Sequence, residues 1–226
     1  REEQGAIDHV LEVLERRGAR CRFGAPLDLR WLRHGWSSHY EFEHCGMRVR
    51  TDFVTRPPRV QPGDLAKLWR EQEGKDPPFV GPRILLELKK TTREKDWPFI
   101  GELARLLSDP RERMLCSRSA HDLIDLDRAQ PGLAQKLESA RPALASIRNG
   151  LDDLRLALER ERFVAMDEDN RRIRTFLAAA SGLEAAWPDI QRRSAGLPLR
   201  AAHAILVDSA QRCLPTSPNL PPATSF

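Results

Sequence analysis

Apolar residues recur along this chain with two different periods. From Gln4 to Arg17 the spacing is helical, with Ile7, Val10, Leu11 and Leu14 on one face and Gly18 as a stop. Ala19–Phe23 reads as a short strand, and Leu27–Leu32 as a helical turn. At His39 the period drops to two. Tyr40 and Phe42 alternate with His39, Glu41 and Glu43; Met47, Val49, Thr51 and Phe53 alternate with Arg48, Arg50 and Asp52. The pattern predicts a hairpin turning at His44-Cys45-Gly46. Burial of one face then puts Glu41, Glu43, Arg48, Arg50 and Asp52 together on the other.

Pro62-Gly63-Asp64 opens a short helix, with Asp64 as the expected N-cap and Leu65, Leu68 and Trp69 apolar. After a Gly/Pro-rich loop, the helical period returns in Arg83–Leu107. Ile84, Leu85 and Leu88 form its stripe, and Lys89, Arg93 and Asp96 are expected along one edge of it. Trp97-Pro98 interrupts this run, and a second one carries Phe99, Ile100, Leu103, Leu106 and Leu107 as far as Asp109-Pro110. Ser119 is placed to cap a helix over Leu123, Ile124 and Leu126, which Pro131-Gly132 ends. Residues 133–164 then read as mostly long helix, broken at Pro142 and weak at Gly150. Two further helices are expected over 169–187 and 197–213. The leucine stripe Leu137, Leu144, Leu151, Leu154, Leu158 fits a bundle core or, alternatively, a homodimer seam. The proline-rich segment 214–226 reads as an extended or disordered tail. The expected architecture is α+β: a small mixed sheet with flanking helices over 1–109, an α-helical region over 110–213, then the tail.

Composition narrows the classes. Hydrophobic residues are 40% and charged residues 31% of 226, with a mean hydropathy of −0.53. No apolar run approaches the ~20 residues of a membrane span, and no basic-then-apolar leader is visible, so a cytoplasmic protein with no membrane association is expected. Cys21, Cys45, Cys116 and Cys213 are dispersed without a Cys-x-x-Cys pair, which argues against zinc or a disulfide framework. The net charge of +4 permits a nucleotide or nucleic-acid ligand without requiring one.

The chemistry concentrates in two stretches. Glu41-x-Glu43 on one strand, with Asp52 on its neighbour, can be read as cross-strand Glu–Arg pairing on a solvent-facing sheet. The same carboxylates can be read as hard oxygen ligands for Mg²⁺. The second stretch is L-E-L-K-K-T-T-R-E-K-D-W-P-F-I-G-E-L-A-R-L-L, whose polar string is either a salt-bridged helix edge or a cluster facing a phosphate site.

This second string resembles the segment that follows the catalytic sheet in small bacterial nucleotidyltransferase-fold proteins, including the minimal nucleotidyltransferases and abortive-infection toxin relatives. The resemblance covers about the first half of the chain. It implies Mg²⁺-dependent transfer of a nucleoside monophosphate from a nucleoside triphosphate to a protein or RNA hydroxyl, in a toxin–antitoxin or phage-defence setting. Glu41, Glu43 and Asp52 would hold metal and supply the base. Gly24, Ser37 and Ser38 would contact phosphate, and Lys89, assisted by Arg93 or Lys95, would stabilise its charge while Asp96 orients a base. The chain departs from the family in having Glu-x-Glu for Asp-x-Asp and a short gap to Asp52, and Arg48 and Arg50 can neutralise the same carboxylates. A non-catalytic scaffold that binds a partner is therefore an alternative. A further alternative is the Asp…Glu-x-Lys arrangement of PD-(D/E)XK nucleases, using Asp52, Glu87 and Lys89, which requires residues 87–89 on a strand.

Overall fold

The computed structural model describes residues 2–77 and 79–218. The chain forms two compact units: Arg1–Pro58 with Arg172–Phe226, and Arg59–Arg171. The expected partition grouped 1–109 together; here the chain enters the second unit at Arg59 and returns to the first at Arg172.

In the first unit, α1 (Gln4–Arg16) buries Ile7, Leu11 and Leu14, as their spacing requires. β1 (Arg20–Cys21) follows, then α2 (Leu29–Leu32), whose first turn is capped by the Asp28 carboxylate accepting from the Arg30 N–H at 2.8 Å. β2 (Ser38–His44) and β3 (Met47–Phe53) form the hairpin. Its two-residue turn holds Cys45 at φ 49° and Gly46 at φ 72°, the left-handed geometry that matches strand twist in tight hairpins. The sheet order is β1-β2-β3, and both pairings are antiparallel, so the expected mixed sheet is antiparallel instead. The two-residue turn between β2 and β3 permits only an antiparallel pairing there.

The apolar hairpin face packs inward. Tyr40 is fully buried beside Leu11, Leu14, Leu27 and Leu32 and meets Phe53 edge to face at 5.9 Å. Met47, expected on that face, is exposed at the hairpin tip. The same unit contains α10 (Ser181–Ser194) and α11 (Leu199–Cys213), which bury Leu183, Ile190, Leu206 and Ala210 around Trp31 and Trp36. Leu214, assigned above to the tail, belongs to this core, and its carbonyl accepts from Trp31 Nε1 at 3.2 Å. Residues 219–226 of the expected tail lie outside the described residues.

The second unit is helical. α3 (Pro62–Gln72) starts one turn earlier than Asp64 suggested, with Gln61 at the N-cap and Asp64 inside the first turn. α4 (Pro82–Lys89) ends at Lys89, and a 3₁₀ turn (Glu94–Asp96) leads into α5 (Trp97–Arg105). Trp97-Pro98 therefore begins a helix, because proline in a first turn gives up an N–H that has no partner there. α6 (Pro110–Cys116), unforeseen in the sequence, is capped by Asp109. Ser119 caps α7 (Ala120–Ala129) as expected. The predicted long helix is three pieces: α8 (Leu133–Leu137), a 3₁₀ stretch (Pro142–Asn149), and α9 (Leu151–Ala179). Leu137, Leu144, Leu154 and Leu158 are all buried with Met114 and Leu123, so the leucine stripe is a core.

A buried ion network crosses this unit. Arg141 makes three hydrogen bonds to the Glu161 carboxylate, at 2.8, 2.9 and 3.3 Å, and one to the Met114 carbonyl at 2.8 Å. Arg118 donates to the same carboxylate at 2.5 Å and to the Leu158 carbonyl, and stacks over Trp97 at 5.0 Å. No helix among the described residues is long and apolar enough to cross a membrane.

Candidate functional site

The sheet register builds an ordered polar face in the first unit. Arg20 pairs with Glu41, and Glu41 with Arg50, so one carboxylate sits between two arginines across three strands. One row toward the hairpin tip, Glu43 pairs with Arg48. One row the other way, His39 pairs with Asp52, and the Arg22 N–H donates to the His39 carbonyl at 2.9 Å. The predicted sharing of a face by Glu41, Glu43, Arg48, Arg50 and Asp52 follows from period-two alternation and is what this register produces. Arg20 and Arg22 join the same face because they too are two residues apart.

Glu41 is the buried member, its side chain 11% exposed. Arg20 donates to it from Nε at 2.8 Å and approaches from Nη2 at 2.7 Å; Arg50 and Arg22 stand at 3.6 and 3.9 Å. The Arg20 hydrogen bond, outweighing the effect of desolvation, holds the carboxyl below the usual range, helped by the charges of Arg20, Arg48 and Arg50. Asp52 has its own hydrogen-bond partner and shares Arg22 with Glu41: its Oδ1 accepts from His39 Nδ1 at 2.5 Å and lies 3.6 Å from Arg22 Nη1. Beside these rows lies a cleft of about 610 Å³ lined by Arg20, Arg22, Arg48, Arg50, Glu41 and the aromatic pair Phe23 and Trp187, which meet edge to face at 5.4 Å.

The expected metal ligands do not fit a divalent ion here. Glu41 is taken by Arg20 and Asp52 by His39, while Glu43 stands one row away, opposite Arg48 in the strand register. No group of three His, Cys, Asp or Glu among the described residues is arranged to hold a metal. The predicted phosphate contacts also resolve differently. Ser38 is buried at the start of β2. Gly24 packs on the His39 ring: a Cβ there would lie 2.4 Å from His39 Cδ2. Ser37 directs its hydroxyl to His39 Nε2 at 2.9 Å.

Lys89, Arg93, Lys95 and Asp96 belong to the second unit. They do not share a helix edge, because α4 ends at Lys89 and the β-branched pair Thr91-Thr92 departs from helical geometry. Asp96 is buried and ties the turn together: it accepts from Thr91 Oγ1 at 3.3 Å and stands 3.9 Å from Lys89 Nζ. Trp97 Nε1 donates to the Thr91 carbonyl at 2.9 Å, and the Thr92 N–H to Asp169 at 3.3 Å. Arg93 and Lys95 are exposed. Glu87 lies on α4, held by Arg83 at 2.6 Å and Lys90 at 2.9 Å, so Glu87-x-Lys89 is helical and lacks the strand a PD-(D/E)XK site requires.

The residues that the sequence reading missed are Arg20, Arg22, His39 and Trp187. The first two were legible as an i, i+2 pair in a short strand. Trp187 reaches the cleft from α10, which spacing along the chain does not reveal. Comparison of the chain with protein-family models, curated proteins and solved structures finds no match.

Proposed function

We propose that the first unit binds the phosphates of a nucleotide or of a single-stranded nucleic acid on its arginine face. The observation that carries this reading is the cleft lined by Arg20, Arg22, Arg48 and Arg50 with Glu41 as its carboxylate. Glu41 orders Arg20 and leaves Arg48 and Arg50 with donors to spare. Guanidinium groups suit phosphate because their planar fork matches two phosphate oxygens. Phe23 and Trp187 add flat apolar surface on which a base can stack. Mg²⁺-dependent transfer of a nucleoside monophosphate to a protein or RNA hydroxyl is the second reading; the pairing of Glu41 and Asp52 with arginine and histidine speaks against it.

The test is calorimetric titration with ATP, GTP, CTP, UTP and a short single-stranded RNA, with and without Mg²⁺, at two salt concentrations. Binding should weaken with salt, as released counterions require, and fall roughly tenfold in Arg48→Ala and in Arg50→Ala. Absence of binding to every probe overturns the reading. Binding that requires Mg²⁺ and disappears in Asp52→Asn favours nucleotidyl transfer instead.

A further inference from the structure

Ser37, His39 and Asp52 form a connected hydrogen-bond relay on the sheet. Asp52 Oδ1 and His39 Nδ1 are 2.5 Å apart, and His39 Nε2 and Ser37 Oγ are 2.9 Å apart. An ionised Asp52 requires the proton on Nδ1, which leaves the Nε2 lone pair to accept the Ser37 hydroxyl. Each contact uses the atom that nucleophilic catalysis by serine needs. Three local features produce the arrangement. Ser37, the residue just before β2, lies two positions from His39, and its hydroxyl reaches back to the His39 ring. The β2–β3 register sets Asp52 directly opposite His39. Gly24, lacking a Cβ, leaves the space that the imidazole ring occupies. Asp52 is 62% exposed and His39 26% exposed, so the relay opens to solvent.

We propose that Ser37 is a nucleophile toward carboxylic esters, with His39 as its general base and acid and Asp52 as the positioning residue. Ser37 Oγ bonds to the ester carbonyl carbon while its proton passes to His39 Nε2. The tetrahedral centre collapses, the C–O bond to the alcohol breaks, and the alkoxide takes the proton from Nε2. Water then attacks the acyl-serine with His39 again accepting a proton, and the acid and free Ser37 are released. Arg22, 3.6 Å from Asp52, supplies positive charge on the β1 side of the relay. This inference stands on the relay alone and is independent of phosphate binding in the arginine cleft.

The experiment treats the full chain with a fluorophosphonate probe, whose phosphorus bonds Ser37 Oγ as fluoride leaves, and follows p-nitrophenyl acetate hydrolysis in parallel. Mass spectrometry of the tryptic peptide covering residues 34–48 should find the adduct on Ser37. Ser37→Ala should abolish labelling, and His39→Gln should slow it about 100-fold or more. In Asp52→Asn, kcat for the ester should fall about 100-fold or more with KM little changed, because an amide facing Nδ1 no longer fixes the tautomer that leaves Nε2 free to accept. Circular dichroism checks that each variant is folded. No adduct on Ser37 in the wild type, or labelling of folded His39→Gln at the wild-type rate, overturns the proposal.

Discussion

Replacing Glu161 by glutamine should cost the second unit about 3 kcal/mol. The carboxylate joins Arg141, whose side chain is 7% exposed, to Arg118. Burial pushes the Glu161 carboxyl up, but the Arg141 hydrogen bond and charge, with Arg118 and Lys90, outweigh it and the net shift is down. Burial, reinforced by the neighbouring Arg141, pulls the Arg118 guanidinium down to about 10 against the pull of Glu161. Glutamine keeps the shape and removes the charge, leaving two guanidinium groups facing each other in a poorly solvated site. Loss of one partner from a buried pair costs about 3–5 kcal/mol; the partial exposure of Glu161 places this case at the low end. For a chain of this length that is a fall in Tm of about 6–12 °C. The pH dependence follows from the same geometry. A carboxyl whose folded pKa is depressed stabilises the protein above its unfolded pKa, and that contribution is lost as pH falls through the folded value. The gap between wild type and Glu161→Gln should therefore be full at pH 7 and shrink below about pH 4. Thermal and urea unfolding at both pH values measure it. A loss under about 1 kcal/mol at pH 7, or a gap unchanged at pH 3, would refute the argument.

Three further outcomes are expected from the packing. Leu123→Ala empties a fully buried site in the helical core and should cost about 2–5 kcal/mol by urea unfolding. Gly46→Ala puts a Cβ at φ 72° in the hairpin turn and should cost roughly 1–2 kcal/mol, with the hairpin amides exchanging faster by hydrogen–deuterium exchange. His203 is held below its ordinary pKa chiefly by burial, with Arg200 and Arg30 adding to it and Asp28 opposing. The unfolded chain takes up that proton first, so stability should fall as pH drops below about 6.5; His203→Gln should lessen the Tm difference between pH 7.5 and 5.5.

The hairpin was legible except at its tip, where Met47 is exposed. Period-two alternation and the left-handed tolerance of Gly46 determine which side chains share a face, and they do so locally. The helices of the second unit were legible where leucine spacing ran unbroken, as at Leu154 and Leu158, and Ser119 announced a cap. α6 was missed because the seven residues from Pro110 carry too little periodicity to stand out, although the cap itself was visible. Lys89, Arg93 and Asp96 look like one helix edge on paper because spacing counts residues without knowing where the helix ends.

The candidate site divides the same way. Composition and alternation by themselves put carboxylates and arginines on one sheet face, because strand geometry depends only on neighbours along the chain. Which arginine holds Glu41, that Asp52 answers to His39, and that Trp187 joins the cleft were decided by the fold. Those choices depend on strand register and on a helix nearly 150 residues away in sequence. Charge pairing is a matter of distances of a few ångströms, which only tertiary structure sets. A carboxylate triplet that reads as a metal site in one dimension is in three dimensions divided among other partners: Glu41 among arginines, Asp52 against histidine and serine, with Arg22 near both.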